Sequence, residues 1–103
     1  MDYNTKLTQD ISKLPKETVY DFNVYRRQIL GVAGVIKRIS NPAFEEVVKM
    51  GSSIYPLIIE RVAEDPTVWG WALSQITNNY PIMDQDWTSQ DIVKYWTDWY
   101  LLQ

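Results

Sequence analysis

The sequence predicts one all-α domain, a compact bundle of five or six helices. Apolar residues recur three and four positions apart along most of the 103 residues, which is the period of a helix with one buried face. Apolar and polar residues never alternate strictly over several positions, and no Asn-Gly or Asp-Gly turn occurs. The sequence therefore contains no strand signal that competes with the helical pattern. Apolar residues make up 46% of the chain and charged residues 22%, a composition typical of a globular domain.

A short N-terminal helix is predicted within residues 1–15. Leu7, Ile11 and Leu14 follow one another at spacings of four and three, so they lie on one helical face. Pro15 then ends the helix, because proline has no amide hydrogen to donate inside one.

A longer helix is predicted over residues 21–40. Residues 19–25 mix β-branched and aromatic side chains, which leaves its start open between Asp21 and Val24. Its apolar positions repeat with the helical period and are Ile29, Val32, Ala33, Ile36 and Ile39.

Three helices are predicted in the middle of the chain, each beginning at a capping signal. Asn41 and Asp65 suit N-caps, and each is followed by a proline at the first helical position. Gly51 is expected to end the first of these helices in a left-handed conformation. Ser52 or Ser53 is expected to cap the second helix. The predicted core faces are Phe44, Val47 and Val48, then Ile54, Leu57, Ile58 and Val62, then Trp69, Ala72, Leu73 and Ile76.

A last helix is predicted over residues 88–102. Thr88 or Ser89 caps it, and Asp91 stands three residues after Thr88, close to a capping-box pattern. Residues 78–87 are predicted to form a loop before it. The inward stripe of the last helix is expected to be Ile92, Tyr95, Trp96 and Trp99.

The composition excludes several classes of chemistry. The chain has no His and no Cys, which removes imidazole bases, thiolate nucleophiles, disulfides and zinc-thiolate sites. Asp84 and Asp86 lack the glycine and distal glutamate of a calcium loop. We therefore predict no catalytic residue, no cofactor and no metal site. No signal-peptide core and no bilayer-length apolar run is apparent, so the expectation is a soluble cytoplasmic protein.

The net charge of −3 is unevenly distributed along the chain. Residues 1–40 carry seven cations against four acids, a net charge of +3. Residues 41–103 carry three cations against nine acids, a net charge of −6. Such asymmetry indicates either a charged surface for a partner or attraction between the two parts within one fold.

The first candidate site is a basic face on the helix predicted over 21–40. On a continuous helix four cations would share an arc of roughly 120°; they are Arg26, Arg27, Lys37 and Arg38. Gly31 and Gly34 fall within or beside this arc, which indicates close approach of another helix, a partner or a ligand. The face would receive a phosphate backbone or an acidic protein surface. The plainer alternative is a solvated face, paired internally with acids of residues 41–65.

The second candidate site is aromatic. All five tryptophans lie between Trp69 and Trp99, and most of them are expected to fill the core. Trp71 lies about 200° from Trp69 on a helix, so it points away from the core face. Trp87 lies in the predicted loop. We therefore select Trp71 and Trp87 as partner-binding candidates, because exposed tryptophan is enriched at the centres of interfaces.

The third candidate site is acidic. Four glutamates of the acidic part could cover a basic site on another protein; they are Glu45, Glu46, Glu60 and Glu64. Binding of this kind would depend strongly on salt concentration.

Residues 41–77 carry a resemblance to known families. The characteristic positions are Asn41-Pro42-Ala43-Phe44, Met50-Gly51, Pro56, Asp65-Pro66, Trp69-Gly70-Trp71-Ala72-Leu73 and Ile76-Thr77. This pattern resembles a group of small bacterial helical proteins, and it is also similar to a single HEAT-type repeat unit. The resemblance covers about a third of the chain, whereas a solenoid stacks several units. It implies a compact HEAT-like bundle that acts as a protein-binding scaffold rather than as a catalyst.

These observations favour a non-catalytic protein-binding module, of the kind that small acidic inhibitors, antitoxins and immunity proteins represent. The first alternative is nucleic-acid or phosphate-ligand binding through the basic helix face, which is less expected in an acidic chain. The second alternative is a homo-oligomeric structural component with residues 88–102 as its seam. The sequence leaves the oligomeric state open.

Overall fold

The computed structural model describes residues 2–81 and 86–103, and it confirms the all-α bundle. The α-helices of the described residues are α1 (Tyr3–Ser12), α2 (Lys16–Leu30), α3 (Val35–Ile39), α4 (Pro42–Met50), α5 (Tyr55–Arg61), α6 (Pro66–Thr77) and α7 (Ser89–Leu101). A 3₁₀ turn at Gly51–Ile54 joins α4 to α5. None of these helices is both long and apolar enough to span a bilayer.

The helix expected over residues 21–40 is wrong as a single element. Residues 19–25 are helical and belong to α2, but α2 ends at Leu30. Gly34 adopts a φ of +93°, which residues with a side chain rarely adopt, and a short α3 begins after it. The expected apolar stripe is therefore divided: Ile29 is buried, whereas Ile36 is 77% exposed.

The start signals in the middle and at the end of the chain are confirmed. Asn41 accepts a hydrogen bond from the amide of Ala43, and Asp65 from the amide of Val68. Thr88 and Asp91 form a reciprocal capping box at the start of α7. Gly51 has the predicted positive φ, +74°, at the end of α4, but its ψ of −157° differs from that of the expected left-handed helical conformation. The serine caps are wrong, because no side chain caps the 3₁₀ turn or α5.

Helix α6 lies at the centre of the bundle and contacts α3, α4, α5 and α7. Trp69 on α6 is fully buried and packs against Phe22 of α2, with ring centroids 5.8 Å apart. The core face predicted for α6 is confirmed at Ala72 and Leu73, which are also fully buried, whereas Ile76 is half-buried. These aromatic rings bury the large apolar area that a small domain needs.

The inward stripe of α7 differs from the expected one. Ile92 and Trp96 are buried as predicted, but Tyr95 and Trp99 are only half-buried. Tyr100, which the expected stripe does not include, is 2% exposed.

Tyr100 also links the two ends of the described chain. Its hydroxyl donates a hydrogen bond to the Asp10 carboxylate of α1, and Lys6 lies 3.0 Å from the same carboxylate. The hydrogen bond from Tyr100 and then that from Lys6 hold the pKa of Asp10 below its usual value. Burial and then the bond to Asp10 raise the pKa of Tyr100. The cluster thus fixes α1 against α7.

Candidate functional site: an aromatic groove beside an acidic hollow

The site begins with the close approach of α7 to α6 at Gly70. A Cβ atom at this position would lie 3.2 Å from Cγ2 of Ile92 and 3.3 Å from Nε1 of Trp96. Because glycine has no Cβ, α7 can approach α6 closely here, and Gly70 and Ile92 both line one cavity.

This cavity is an apolar groove of about 240 Å³. Its described walls are Pro66, Thr67, Gly70, Trp71, Ser74, Tyr80, Pro81 and Ile92. Trp71 is 43% exposed and Tyr80 is 51% exposed. Their ring centroids lie 5.6 Å apart, with the planes at 61°, so the rings pack edge to face and form one aromatic wall. We call this cavity the aromatic groove.

Local backbone geometry places the two rings of this wall. Trp69 and Trp71 lie about 200° apart on α6, so burial of Trp69 turns Trp71 outward. Asn78 adopts the left-handed conformation, with φ 54°, and ends α6. The Asn79 side chain then donates a 2.9 Å hydrogen bond to the hydroxyl of Tyr95, which fixes the segment carrying Tyr80 against α7.

An acidic hollow of about 480 Å³ lies on the neighbouring side of α7. Its described walls are Asp86, Trp87, Asp91, Lys94, Tyr95 and Asp98. The rings of Trp87 and Tyr95 pack together with centroids 5.9 Å apart. Lys94 pairs with Asp98, and Asp91 caps α7, so the hollow retains an excess of negative charge. We call this cavity the acidic hollow.

The aromatic candidates are therefore both placed beside concave surfaces. Trp71 is exposed in the aromatic groove, as its helical position predicts. Trp87 is half-buried against Tyr95 in the wall of the acidic hollow. Trp71 therefore packs with Tyr80 in one cavity, and Trp87 packs with Tyr95 in the other.

The predicted basic helix face is wrong, because the helix that would carry it is broken between α2 and α3. Arg26 donates two hydrogen bonds to the carboxylate of Glu64, and these bonds hold the pKa of Glu64 below its usual value. Arg38 pairs with Asp65 at 2.6 Å. Two of the four cations thus neutralise acids of residues 41–65, which was the plainer alternative for this face.

The remaining two cations lie at the surface. Arg27 donates to the backbone carbonyl of Asn23 within α2. Lys37 is exposed on α3. The charge asymmetry of the sequence is therefore explained in part by attraction within the fold.

The four glutamates are mostly engaged with neighbouring cations rather than offered as one acidic surface. Besides the bond of Glu64 to Arg26, Glu46 lies 3.5 Å from Lys49 and Glu60 lies 3.8 Å from Arg61. Glu45 is exposed in the first turn of α4. Negative charge beside a cavity comes instead from Asp86, Asp91 and Asp98, which lie around the acidic hollow.

The site residues selected from the sequence do not include Asp91 and Asp98; Asp86 was weighed only as a cation ligand, and Tyr80 belonged to the aromatic residues considered but was not selected. Lys94 and Asp98 are four residues apart, a spacing that does indicate a surface pair on one helical face. Nothing in the sequence indicates that Tyr80 would pack on Trp71, because that contact depends on how the segment after α6 turns.

Among residues 2–81 and 86–103, no group of three or more carboxylates is arranged to hold a metal ion. Asp84, one of the two aspartates considered above as cation ligands, lies outside the described residues.

No protein-family model, no curated protein and no solved structure matches this chain. The resemblance of residues 41–77 to small bacterial helical proteins and to a HEAT-type unit therefore stays a prediction.

Proposed function

We propose that this chain is a non-catalytic protein-binding module whose contact surface is the aromatic groove together with the acidic hollow. One observation carries the proposal: Trp71 and Tyr80 form an exposed aromatic wall over an apolar cavity. Half-exposed Trp and Tyr beside a pocket are the residue types that dominate binding energy at protein interfaces.

The aromatic groove offers a place for an apolar anchor of a partner protein, because exposed aromatic rings line a cavity of about 240 Å³. A cavity of this size suits one or two apolar side chains of another protein. Such an anchor in a pocket, surrounded by a polar rim, is the usual anatomy of an interface centre.

The acidic hollow supports a basic partner surface. Asp86, Asp91 and Asp98 outnumber the single cation Lys94 among its described walls. A partner with lysine or arginine beside its apolar anchor would gain electrostatic attraction and faster association. The finer role that we propose is that of a small acidic inhibitor, antitoxin or immunity-type protein, which covers a basic site on its target.

Affinity capture with matched variants tests this proposal. Wild-type protein and a Trp71→Ala, Tyr80→Ala double variant are immobilised and exposed to extract of the organism that encodes the chain. The control is Tyr20→Ala, which removes an exposed aromatic ring of α2. The proposal expects a protein that the wild type and the control retain, that the groove variant loses, and that rising salt releases. Equal retention by all three would refute it.

A further inference from the structure

The acidic hollow is built around a pair of aromatic rings. Trp87 and Tyr95 line it together, with ring centroids 5.9 Å apart and planes tilted by 52°. Both side chains are half-buried, so part of each remains accessible. The Asn79 amide donates a 2.9 Å hydrogen bond to the Tyr95 hydroxyl, which helps to hold that ring in position. A ligand that enters the hollow therefore meets a ring surface that is already in place.

Three carboxylates and one cation also line the hollow, which gives its described walls a net charge of −2. Lys94 pairs with one oxygen of Asp98. One oxygen of Asp91 accepts the capping hydrogen bonds from Thr88. Asp86 is exposed. The charge of the hollow is therefore complementary to a cation from outside the domain.

Aromatic rings together with carboxylates favour an organic cation as the ligand. The face of an aromatic ring attracts positive charge, and a carboxylate adds Coulomb attraction. Hard metal ions take oxygen ligands alone, so they would gain nothing from the rings. The two kinds of group in the hollow therefore point to a cation that has a flat or apolar surface.

The fold holds one of its own cations with the same kinds of group. The Lys6 ammonium lies 4.5 Å from the centroid of the Tyr100 ring and pairs with the Asp10 carboxylate. In the part of the chain that is described, no cation lies over the rings of Trp87 and Tyr95 in this way. The ring pair of the hollow is thus free to receive a cation from a partner.

Arginine suits the hollow better than lysine does. Its guanidinium is planar, so it can stack on a ring while its N–H groups donate to carboxylate oxygens. A guanidinium is also more weakly hydrated than an ammonium, so it loses less hydration free energy when it contacts an aromatic ring. Arginine is, with tryptophan and tyrosine, the residue type most enriched where interfaces gain their binding energy.

We propose that the acidic hollow is the binding site for an arginine side chain of the partner protein. The guanidinium stacks against the rings of Trp87 and Tyr95 and donates hydrogen bonds to the carboxylates of Asp86 and Asp98. The inference rests on the proposed function, because it requires a protein partner. It assigns to the hollow a ligand that is distinct from the apolar anchor of the aromatic groove.

An NMR titration with three matched probes tests the assignment. The ¹⁵N-labelled protein is titrated with N-acetyl-arginine methylamide, and the indole N–H signal of Trp87 is followed. The lysine derivative has the same charge, and the citrulline derivative has the shape of arginine without its charge. We expect a saturable shift with the arginine probe, a dissociation constant at least about 3-fold larger with the lysine probe, and no saturable shift with the citrulline probe. An equal response to arginine and citrulline, equal or tighter binding of lysine, or no saturable shift with arginine overturns the inference.

A pair of charge variants locates the contact at the hollow. The double variant Asp86→Asn, Asp98→Asn should raise the dissociation constant of the arginine probe more than about 5-fold. The control is Glu45→Gln, Glu46→Gln, which removes the same charge from α4. Equal weakening by the two double variants would show only a general effect of net charge and overturns the site.

A ring variant tests the contribution of the aromatic pair. Trp87→Leu should also weaken binding of the arginine probe, followed at the backbone amides of α7, whereas Trp71→Leu in the aromatic groove should not. Circular dichroism verifies that each variant is folded. Unchanged binding by Trp87→Leu overturns the stacking of the guanidinium. Affinity capture depends on Trp71 and Tyr80, so the proposed function and this inference can fail independently.

Discussion

Tyr100→Phe removes the hydroxyl that joins α7 to α1 while it keeps the buried ring. The hydroxyl donates to the Asp10 carboxylate, which is partly exposed and also paired with Lys6. A hydrogen bond to a charged group contributes about 1.5–3 kcal/mol to stability. Since Asp10 is 29% exposed, we expect a loss near the lower limit, about 1.5 kcal/mol. In a chain of this length each kcal/mol lowers the melting temperature by about 4–8 °C.

The pH dependence of this loss has a definite sign. The pKa of Asp10 is lowered in the folded state from an ordinary value of 3.8. Its contribution is therefore present above that ordinary value and disappears as the pH falls through the lower folded pKa. Below it the carboxyl is neutral, and a bond between neutral groups contributes only about 0.5–1.5 kcal/mol. The difference between the wild type and Tyr100→Phe should narrow as the solution is acidified.

Urea denaturation at neutral pH and at about pH 3 measures both effects. The control is Tyr20→Phe, since Tyr20 is an exposed tyrosine of α2 and its substitution should leave the midpoint unchanged. Equal stability of wild type and Tyr100→Phe at neutral pH would refute the reasoning. A difference that widens on acidification would refute it as well.

Three further substitutions test other contacts by urea denaturation. Arg38→Ala should lower the free energy of unfolding by about 2 kcal/mol, because it breaks the ion pair with Asp65 and two hydrogen bonds to backbone carbonyl groups. The control Arg27→Ala, at the surface of α2, should change the free energy of unfolding by less than about 0.5 kcal/mol. Equal costs would contradict the internal role of Arg38. Gly70→Leu should cost more than about 2 kcal/mol, because even a Cβ comes within 3.3 Å of α7; a neutral result would mean that the helices are not in close contact. Gly34→Val should cost about 1–2 kcal/mol through its positive φ, although space is open around it. A stabilising effect would show that Gly34 does not adopt a positive φ.

Local signals made most of the helix boundaries predictable. Asn41, Asp65 and Thr88 cap helices through bonds to amides two or three residues away, so the sequence carries the whole interaction. The outward direction of Trp71 was equally predictable, because it follows from its angular offset from Trp69 on one helix.

The break between α2 and α3 was not predictable from periodicity. The apolar spacing continues through residues 31–34, and a glycine in a helical pattern has only a modest cost. The contact that holds α3 against the bundle is also tertiary: Arg38 pairs with Asp65, 27 residues away along the chain. The same break divides the predicted basic face between α2 and α3.

The aromatic groove could not be predicted from the sequence pattern either. Its aromatic wall needs Tyr80 beside Trp71, and that contact depends on the left-handed Asn78 and on the bond from Asn79 to Tyr95. The hydrogen bond from Asn79 to Tyr95 joins two residues that are 16 positions apart in the chain. Composition could indicate an aromatic surface, but only the packing of α6 on α7 places a cavity next to it.

The indole N–H signals of the tryptophans test the central claim most directly. The protein is labelled with ¹⁵N, each signal is assigned by single substitutions, and the partner isolated by affinity capture is added. The account predicts that the Trp71 signal shifts on binding, while the signal of the fully buried Trp69, which packs against Phe22 of α2, moves least. A bound partner that leaves the Trp71 signal in place would contradict the claim that the aromatic groove is the binding surface.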